Sequence, residues 1–210
     1  MVFADRRAAG VTLARSLRPY AKHPGVIVLA LPRGGVPVGY EIARALNVPL
    51  DVLLVRKLGV PGHEELAMGA IAAGVRVLNP DAIERLGISE QVVDHVAARE
   101  QHELERRERL YRGGRPPPQL RDRTLILVDD GLATGSSMRV AIVAARTHAP
   151  AKIVVAVPVA PAETCRNLKA EADDVVCALT PSPLHSIGRW YGAFQQVDDD
   201  EVSDLLARLG

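Results

Sequence analysis

Large rings are scarce in this sequence, with Phe, Trp and Tyr making up 3% of its 210 residues. A core must therefore be built from Val, Leu, Ile and Ala, within an apolar fraction of 48%. Cysteine is nearly absent. Cys165 and Cys177 lack the spacing of a metal site and read as small apolar residues in or near the core. Nothing in the sequence argues for a bond between them. An excess of one charge is missing too: the net charge is +1, which gives no general electrostatic case for nucleic-acid binding. No apolar run is long enough to span a bilayer. The first 18 residues carry Asp5, Arg6, Arg7 and Arg15 and no apolar signal-peptide core, so the expected location is cytoplasmic and no membrane partner is expected. His63-Glu64-Glu65 has no second His at zinc-motif spacing. There is no internal repeat, and the length suits one domain over residues 1–210 with a full core.

The stretch that carries most information is residues 124–138, TLILVDDGLATGSSM. An apolar, branched run too short for a typical helix reads as a buried parallel strand. It ends in Asp129 and Asp130. Gly131, Leu132, Ala133, Thr134, Gly135, Ser136 and Ser137 follow, and then a helical pattern over residues 138–146. A helix start leaves backbone N–H groups unpaired and carries partial positive charge. Hydroxyls from Thr134, Ser136 and Ser137 add donors, so the loop has the makings of a phosphate cradle. The dipole alone contributes roughly 0.3–1 kcal/mol, so the donors must supply most of the affinity. Asp129 and Asp130 would repel a phosphate. They suit sugar hydroxyls or a divalent cation. The competing reading is a capped strand-to-helix turn with two solvated carboxylates. The loop is not a nucleoside-triphosphate P-loop, because no Gly-Lys-Ser/Thr ends it, and it does not match Gly-x-Gly-x-x-Gly.

Elsewhere strands and helices alternate. Residues 5–17 read as a first helix. A buried strand at 25–31 runs into Pro32-Arg33-Gly34-Gly35-Val36-Pro37, with a helix from about residue 38 to 46. Arg33 puts a fixed cation at this turn, and Gly34 and Gly35 expose N–H groups; taken alone, an ordinary turn explains it equally well. The next strand, 50–55, ends at Arg56 and Lys57, two cations where open α/β sheets bind ligands, or simply a solvated strand end. Residues 59–65 look like a mobile loop, and 66–72 with 75–78 a hairpin across Ala73-Gly74. Residues 89–112 read as a long helix capped by Ser89. Its pairs Glu103–Arg107, Glu105–Arg109 and Glu108–Arg112 contribute about 0.2–0.5 kcal/mol each, which points to a solvated charged helix. Strands at 152–159 and 174–179, a short helix at 161–170 and a final helix at 198–209 complete the chain. Three of the seven large rings, Trp190, Tyr191 and Phe194, gather in the tail. Trp190 or Tyr191 could stack on an aromatic base, though rings packing the tail onto the domain is the simpler reading. The pattern implies an α/β fold with a mostly parallel, doubly wound sheet.

The run Val128-Asp129-Asp130-Gly131-Leu132-Ala133-Thr134-Gly135-Ser136-Ser137 resembles the phosphoribosyl-diphosphate-binding motif of the type I phosphoribosyltransferases. The resemblance covers roughly residues 26–179. It implies that fold with a hairpin and flexible loop. The long helix, an insertion within about residues 80–118, is extra to the family core, with a lid, a hood or a dimer arm as its candidate roles, and the C-terminal segment of about 181–210 is a candidate hood. It implies that Asp129 and Asp130 hold the ribose hydroxyls and that residues 131–137 hold the 5′-phosphate. Arg33, Gly34 and Gly35 take the diphosphate half of the donor, often through a non-proline cis peptide, and Lys57, less strongly Arg56, contacts the same group. The implied activity is Mg²⁺-dependent phosphoribosyl transfer to a nitrogenous base or similar small acceptor, by a homodimer, with Asp129 and Asp130 reaching the metal directly or through water. Arg33, Lys57, Asp129 and Asp130 are the expected catalytic set. Ala133 stands where hypoxanthine-guanine enzymes carry Asp, which argues against that subclass. Glu64 and Glu65 are candidates for proton transfer only because they sit in the presumed lid. The alternative is a regulatory protein that keeps the pocket without catalysing transfer.

Overall fold

In the computed structural model the described residues are 2–72 and 74–209, and the side chains of Glu64 and Glu65 are outside the description. Ala73, at the expected hairpin turn, falls outside it as well. Helix α1 (Arg6–Ser16) opens on Asp5, whose carboxylate accepts the Ala8 N–H at 2.8 Å. Strand β1 (Val26–Ala30), helix α2 (Gly35–Leu46) and strand β2 (Leu50–Val52) follow. Three antiparallel strands come next, β3 (Val55–Val60), β4 (His63–Ala72) and β5 (Val75–Leu78), then helices α3 (Pro80–Arg85) and α4 (Glu90–Arg112). The chain ends with β6 (Thr124–Val128), α5 (Ser136–Arg146), β7 (Lys152–Val159), α6 (Ala162–Leu168), β8 (Asp174–Leu179) and α7 (Asp199–Ala207).

The main sheet is parallel, in the order β2-β1-β6-β7-β8. Its strands are apolar on both faces because both are covered. Val26, Val28, Ile126, Val128 and Val154 pack towards α1, α2, α4 and α7. Their neighbours Ile27, Leu29, Leu125, Leu127 and Val155 pack on the other side with Met138 and Ile142 of α5 and Leu168 of α6. The doubly wound arrangement expected from the alternation is therefore present. The strand order reverses between β1 and β6, so their carboxyl ends flank a crevice of the kind where open α/β sheets bind ligands.

Several boundaries differ from the sequence reading. Helix α2 begins at Gly35, three residues early, with Pro37 in its first turn. A first-turn proline forfeits only an N–H that has no partner inside the helix. Strand β2 stops at Val52, because it is an edge strand paired with β1 over three residues. Val55 already belongs to the second sheet, where it faces Ala72. The loop expected over 59–65 shrinks to a turn at Pro61 and Gly62, and irregular pairing at Leu58, Gly59 and Val60 bends the ribbon. The cysteines also differ from expectation: Cys165 on α6 and Cys177 on β8 are disulfide-bonded. Residues twelve apart in sequence meet there because α6 folds back along β8.

Candidate functional site

Two loops meet at the reversal point. After β1, the Pro32–Arg33 peptide is cis, and Gly34 then enters α2 as its cap. After β6 come Asp129 and Asp130. The contact between the loops excludes side chains: a Cβ on Gly34 would lie 2.1 Å from Asp130 Oδ2, and one on Gly35 would lie 2.7 Å from the Val128 carbonyl oxygen. Real Cβ atoms do not come that close: at Gly35 the obstacle is backbone, so glycine is required there, and at Gly34 a side chain would have to displace the Asp130 carboxylate. The Gly35 N–H donates back to the Leu31 carbonyl at 3.0 Å, so it closes the turn itself and is not one of the exposed donors expected there.

Asp129 and Asp130 stand side by side, and the Asp130 N–H donates to Asp129 Oδ1 at 2.8 Å. Burial, and after it the Asp130 charge, push the Asp129 carboxyl well above its ordinary value of 3.8. Burial raises Asp130 as well, opposed first by its hydrogen bond from Arg6 and then by the Arg6 charge. The Arg6 Nε–H donates to Asp130 Oδ2 at 2.8 Å, and the two side chains are 12% and 14% exposed. Arg6 was not among the expected site residues. One signal was available: arginine in a helix's first turn works against the dipole and calls for a tertiary partner.

Past the carboxylates, Gly131 and Leu132 are buried while Ala133, Thr134, Ser136 and Ser137 face outward. Gly135, with φ +77°, caps α5, a backbone shape that favours glycine. The Thr134 and Ser136 hydroxyls are 2.9 Å apart. The loop is pinned from behind, where the Leu132 N–H donates to the Val159 carbonyl and the Thr164 hydroxyl to the Ala133 carbonyl, both at 2.9 Å. Exposed N–H and hydroxyl donors at a helix start, on a fixed backbone, form a bowl suited to a phosphate.

The antiparallel sheet brings Lys57 to this bowl. A cavity of about 410 Å³ between that sheet and α5 is lined by Lys57, Ala70, Val77, Asn79, Ser136 and Ser137. Arg56, one residue earlier on β3, turns to the opposite face and donates twice to Glu100 of α4, from Nε at 2.9 Å. The structure thus brings Lys57, but not Arg56, to the phosphate bowl. Arg33 extends towards α7, its guanidinium 3.8 Å from Asp199. The Tyr111 hydroxyl of α4 donates to the same carboxylate at 2.6 Å, and burial with this hydrogen bond pushes Tyr111 up to about 12.

The tail closes one side. Phe3 and Tyr191 rings lie 5.7 Å apart, and Tyr191 stacks on Phe194 at 4.9 Å. The Tyr191 hydroxyl donates to the Asp130 carbonyl. The tail rings pack the two ends of the chain together, the simpler of the two readings, and Tyr191 also touches the site. Among the described residues no cluster of three or more His, Cys, Asp or Glu could hold a metal ion, and no helix is long and apolar enough to cross a membrane.

Known proteins share this fold. A solved structure of TT1426 from Thermus thermophilus is 42% identical, covers 100% of this chain and 99% of its own, and superposes with a TM-score of 0.85. A hypoxanthine-guanine phosphoribosyltransferase from Bacillus anthracis has a TM-score of 0.52, at 9% identity over 87% of this chain and 83% of its own. A Mycobacterium tuberculosis protein named "Putative phosphoribosyl transferase" is 44% identical over 208 residues, 99% of this chain. The chain spans about half the length of that relative, 47%. Residues 8–200 match the family described as phosphoribosyl transferase domain, and with its two loops meeting at the reversal point of the sheet the chain belongs to that family.

Proposed function

We propose that this chain transfers the phosphoribosyl group from phosphoribosyl diphosphate to a nitrogenous base or similar small acceptor and releases diphosphate. The observation that carries the reading is the contact of Gly34 with the Asp130 carboxylate. It puts a loop that bears a cation beside a carboxylate pair, with a phosphate bowl next along the chain. Such a site matches a ligand with phosphates at both ends of a sugar diol.

In this reading Asp129 and Asp130 accept hydrogen bonds from the ribose hydroxyls, and the loop from Gly131 to Ser137 holds the 5′-phosphate. The backbone around Gly34 and Gly35 lets the diphosphate approach closely, and Arg33 offsets its charge as it departs, while Lys57, which lines one cavity with Ser136 and Ser137, serves the 5′-phosphate end instead of the diphosphate expected from the sequence. The reacting carbon passes through a cation-like state, so the protein's task is positional and electrostatic, and no covalent intermediate on the chain is required. Mg²⁺ fits the donor set: two carboxylates, with no third ligand among the described residues, suit an ion that keeps waters and shares phosphate oxygens, not a protein cage. When bound, the ion neutralises diphosphate charge. A homodimer belongs to the same proposal.

The test is direct. Incubation with phosphoribosyl diphosphate, Mg²⁺ and a panel of bases should release diphosphate with at least one acceptor. Donor binding with no turnover across the panel would favour the regulatory alternative, and no binding at all would refute the donor site. Sedimentation equilibrium reads the subunit number.

A further inference from the structure

Asp130 is held on several sides by residues distant from it in sequence. Arg6 Nε donates to its Oδ2 at 2.8 Å. The same guanidinium donates through Nη1 to the Gln195 carbonyl at 2.8 Å and lies over the Phe194 ring, 3.9 Å from its centre. Phe194 stacks on Tyr191, and the Tyr191 hydroxyl donates to the main-chain carbonyl of Asp130. Gly34 closes on Oδ2 so tightly that a Cβ would come within 2.1 Å. One oxygen of this carboxylate is therefore enclosed between a glycine and a guanidinium.

We propose that Arg6 is a positioning residue of the donor site: it holds Oδ2 of Asp130 against Gly34, so that Oδ1 is the oxygen offered to the ribose. Because the guanidinium is itself seated on Phe194 and Gln195, that setting requires the tail to be folded over the domain. The inference rests on the donor reading above and adds a residue and a dependence to it. Without Arg6 the carboxylate loses the hydrogen-bonded cation that fixes its rotation on this side. Lysine is a partial substitute, since an ammonium keeps the charge but lacks the planar fork that serves Asp130 and Gln195 together while stacking on a ring.

Calorimetry with two ligands separates this role from general stabilisation. Phosphoribosyl diphosphate and inorganic diphosphate, each with Mg²⁺, are titrated into wild type, Arg6→Ala, Arg6→Lys and Phe194→Leu, with the melting temperature of each recorded. A charge-assisted contact is lost, so Arg6→Ala should weaken phosphoribosyl diphosphate about tenfold or more and diphosphate, which has no ribose, by less than about twofold. Arg6→Lys should fall between. If a folded Arg6→Ala binds the donor as wild type does, or if both ligands weaken equally, the positioning role is wrong. If Arg6→Ala does not fold, Phe194→Leu decides: it removes the platform and keeps the ion pair, and should weaken the ribose ligand alone by about threefold. Equal binding of both ligands by that variant would overturn the proposal. Failure of wild type to bind either ligand would sink the donor reading, a result distinct from wild-type binding that survives the loss of Arg6.

Discussion

At the scale of single residues, the site is a place where stability and ligand binding conflict. Asp129 is pushed well above its ordinary 3.8 by burial and by Asp130. A carboxyl raised on folding binds its proton more tightly in the native state, so the native state loses stability as pH rises from the ordinary value through the raised one. Asp129→Asn should leave stability near pH 3 little changed and raise it at pH 7, by about 2–4 °C in Tm for each kcal/mol relieved. Donor binding should weaken in the same variant. Thermal melts across pH check the first statement, and an unchanged Tm at pH 7 would refute it. Gly34→Ala addresses the neighbouring loop. Its Cβ would lie 2.1 Å from Asp130 Oδ2, so the carboxylate must swing away. Donor affinity should fall by about tenfold or more in a chain that remains folded by circular dichroism. Sequence reasoning reached Asp129, Asp130, Gly34 and Gly35 because they sit in short, local motifs. It passed over Arg6 and the role of Tyr191 at the site, because both depend on contacts with Asp130 across 124 and 61 residues.

Among the elements, α4 does more than its sequence suggested. Its Glu-Arg run reads as solvated, and Glu103 does pair with Arg106 and Arg107 along the surface. Yet Val93, Val96, Ala97, Leu104 and Tyr111 are buried, and Glu100, with its side chain 10% exposed, holds Arg56 of β3 and Arg99. The helix thus braces the antiparallel sheet that carries Lys57 on its other face, and it also packs against α7. Glu100→Ala leaves Arg56 without this partner and should cost about 1–3 kcal/mol of stability. Affinity for phosphoribosyl diphosphate should weaken less than in Lys57→Ala. Chemical denaturation and calorimetry on both variants test this, and a Glu100→Ala chain as stable as wild type would remove the brace. The cap of α4 was legible in sequence, as Ser89 shows by accepting from Val92, whereas Asp5, read as the first residue of its helix, proves to be the cap of α1. The end of β2 was not, because an edge strand stops where its neighbour stops pairing, and no residue in 50–55 marks that point.

For the molecule as a whole, the bond between Cys165 and Cys177 joins α6 to β8 and closes a loop of sequence separation 12. It lies next to Thr164, whose hydroxyl holds the Ala133 carbonyl behind the phosphate bowl. Disulfides are rare where thiols are kept reduced, so this bond sits uneasily with the cytoplasmic location expected from the sequence. Reduction should lower stability by about 2–3 kcal/mol by loosening the unfolded chain, a Tm shift of about 4–12 °C at this size. Thiol titration of the denatured, unreduced protein should find no free cysteine, and two free thiols would contradict the bond.

The sequence by itself determined the layered α/β class, the parallel strands and the acidic pair before a hydroxyl-rich helix start, because apolar patterning and loop chemistry act over a few neighbouring residues. Only the tertiary structure decided which of two adjacent cations faces the bowl, since strand alternation sends Lys57 one way and Arg56 the other. It also decided that Arg6 and the tail enclose Asp130, and that the cysteines meet. Those outcomes depend on which distant surfaces pack together, and packing is a property of the whole chain.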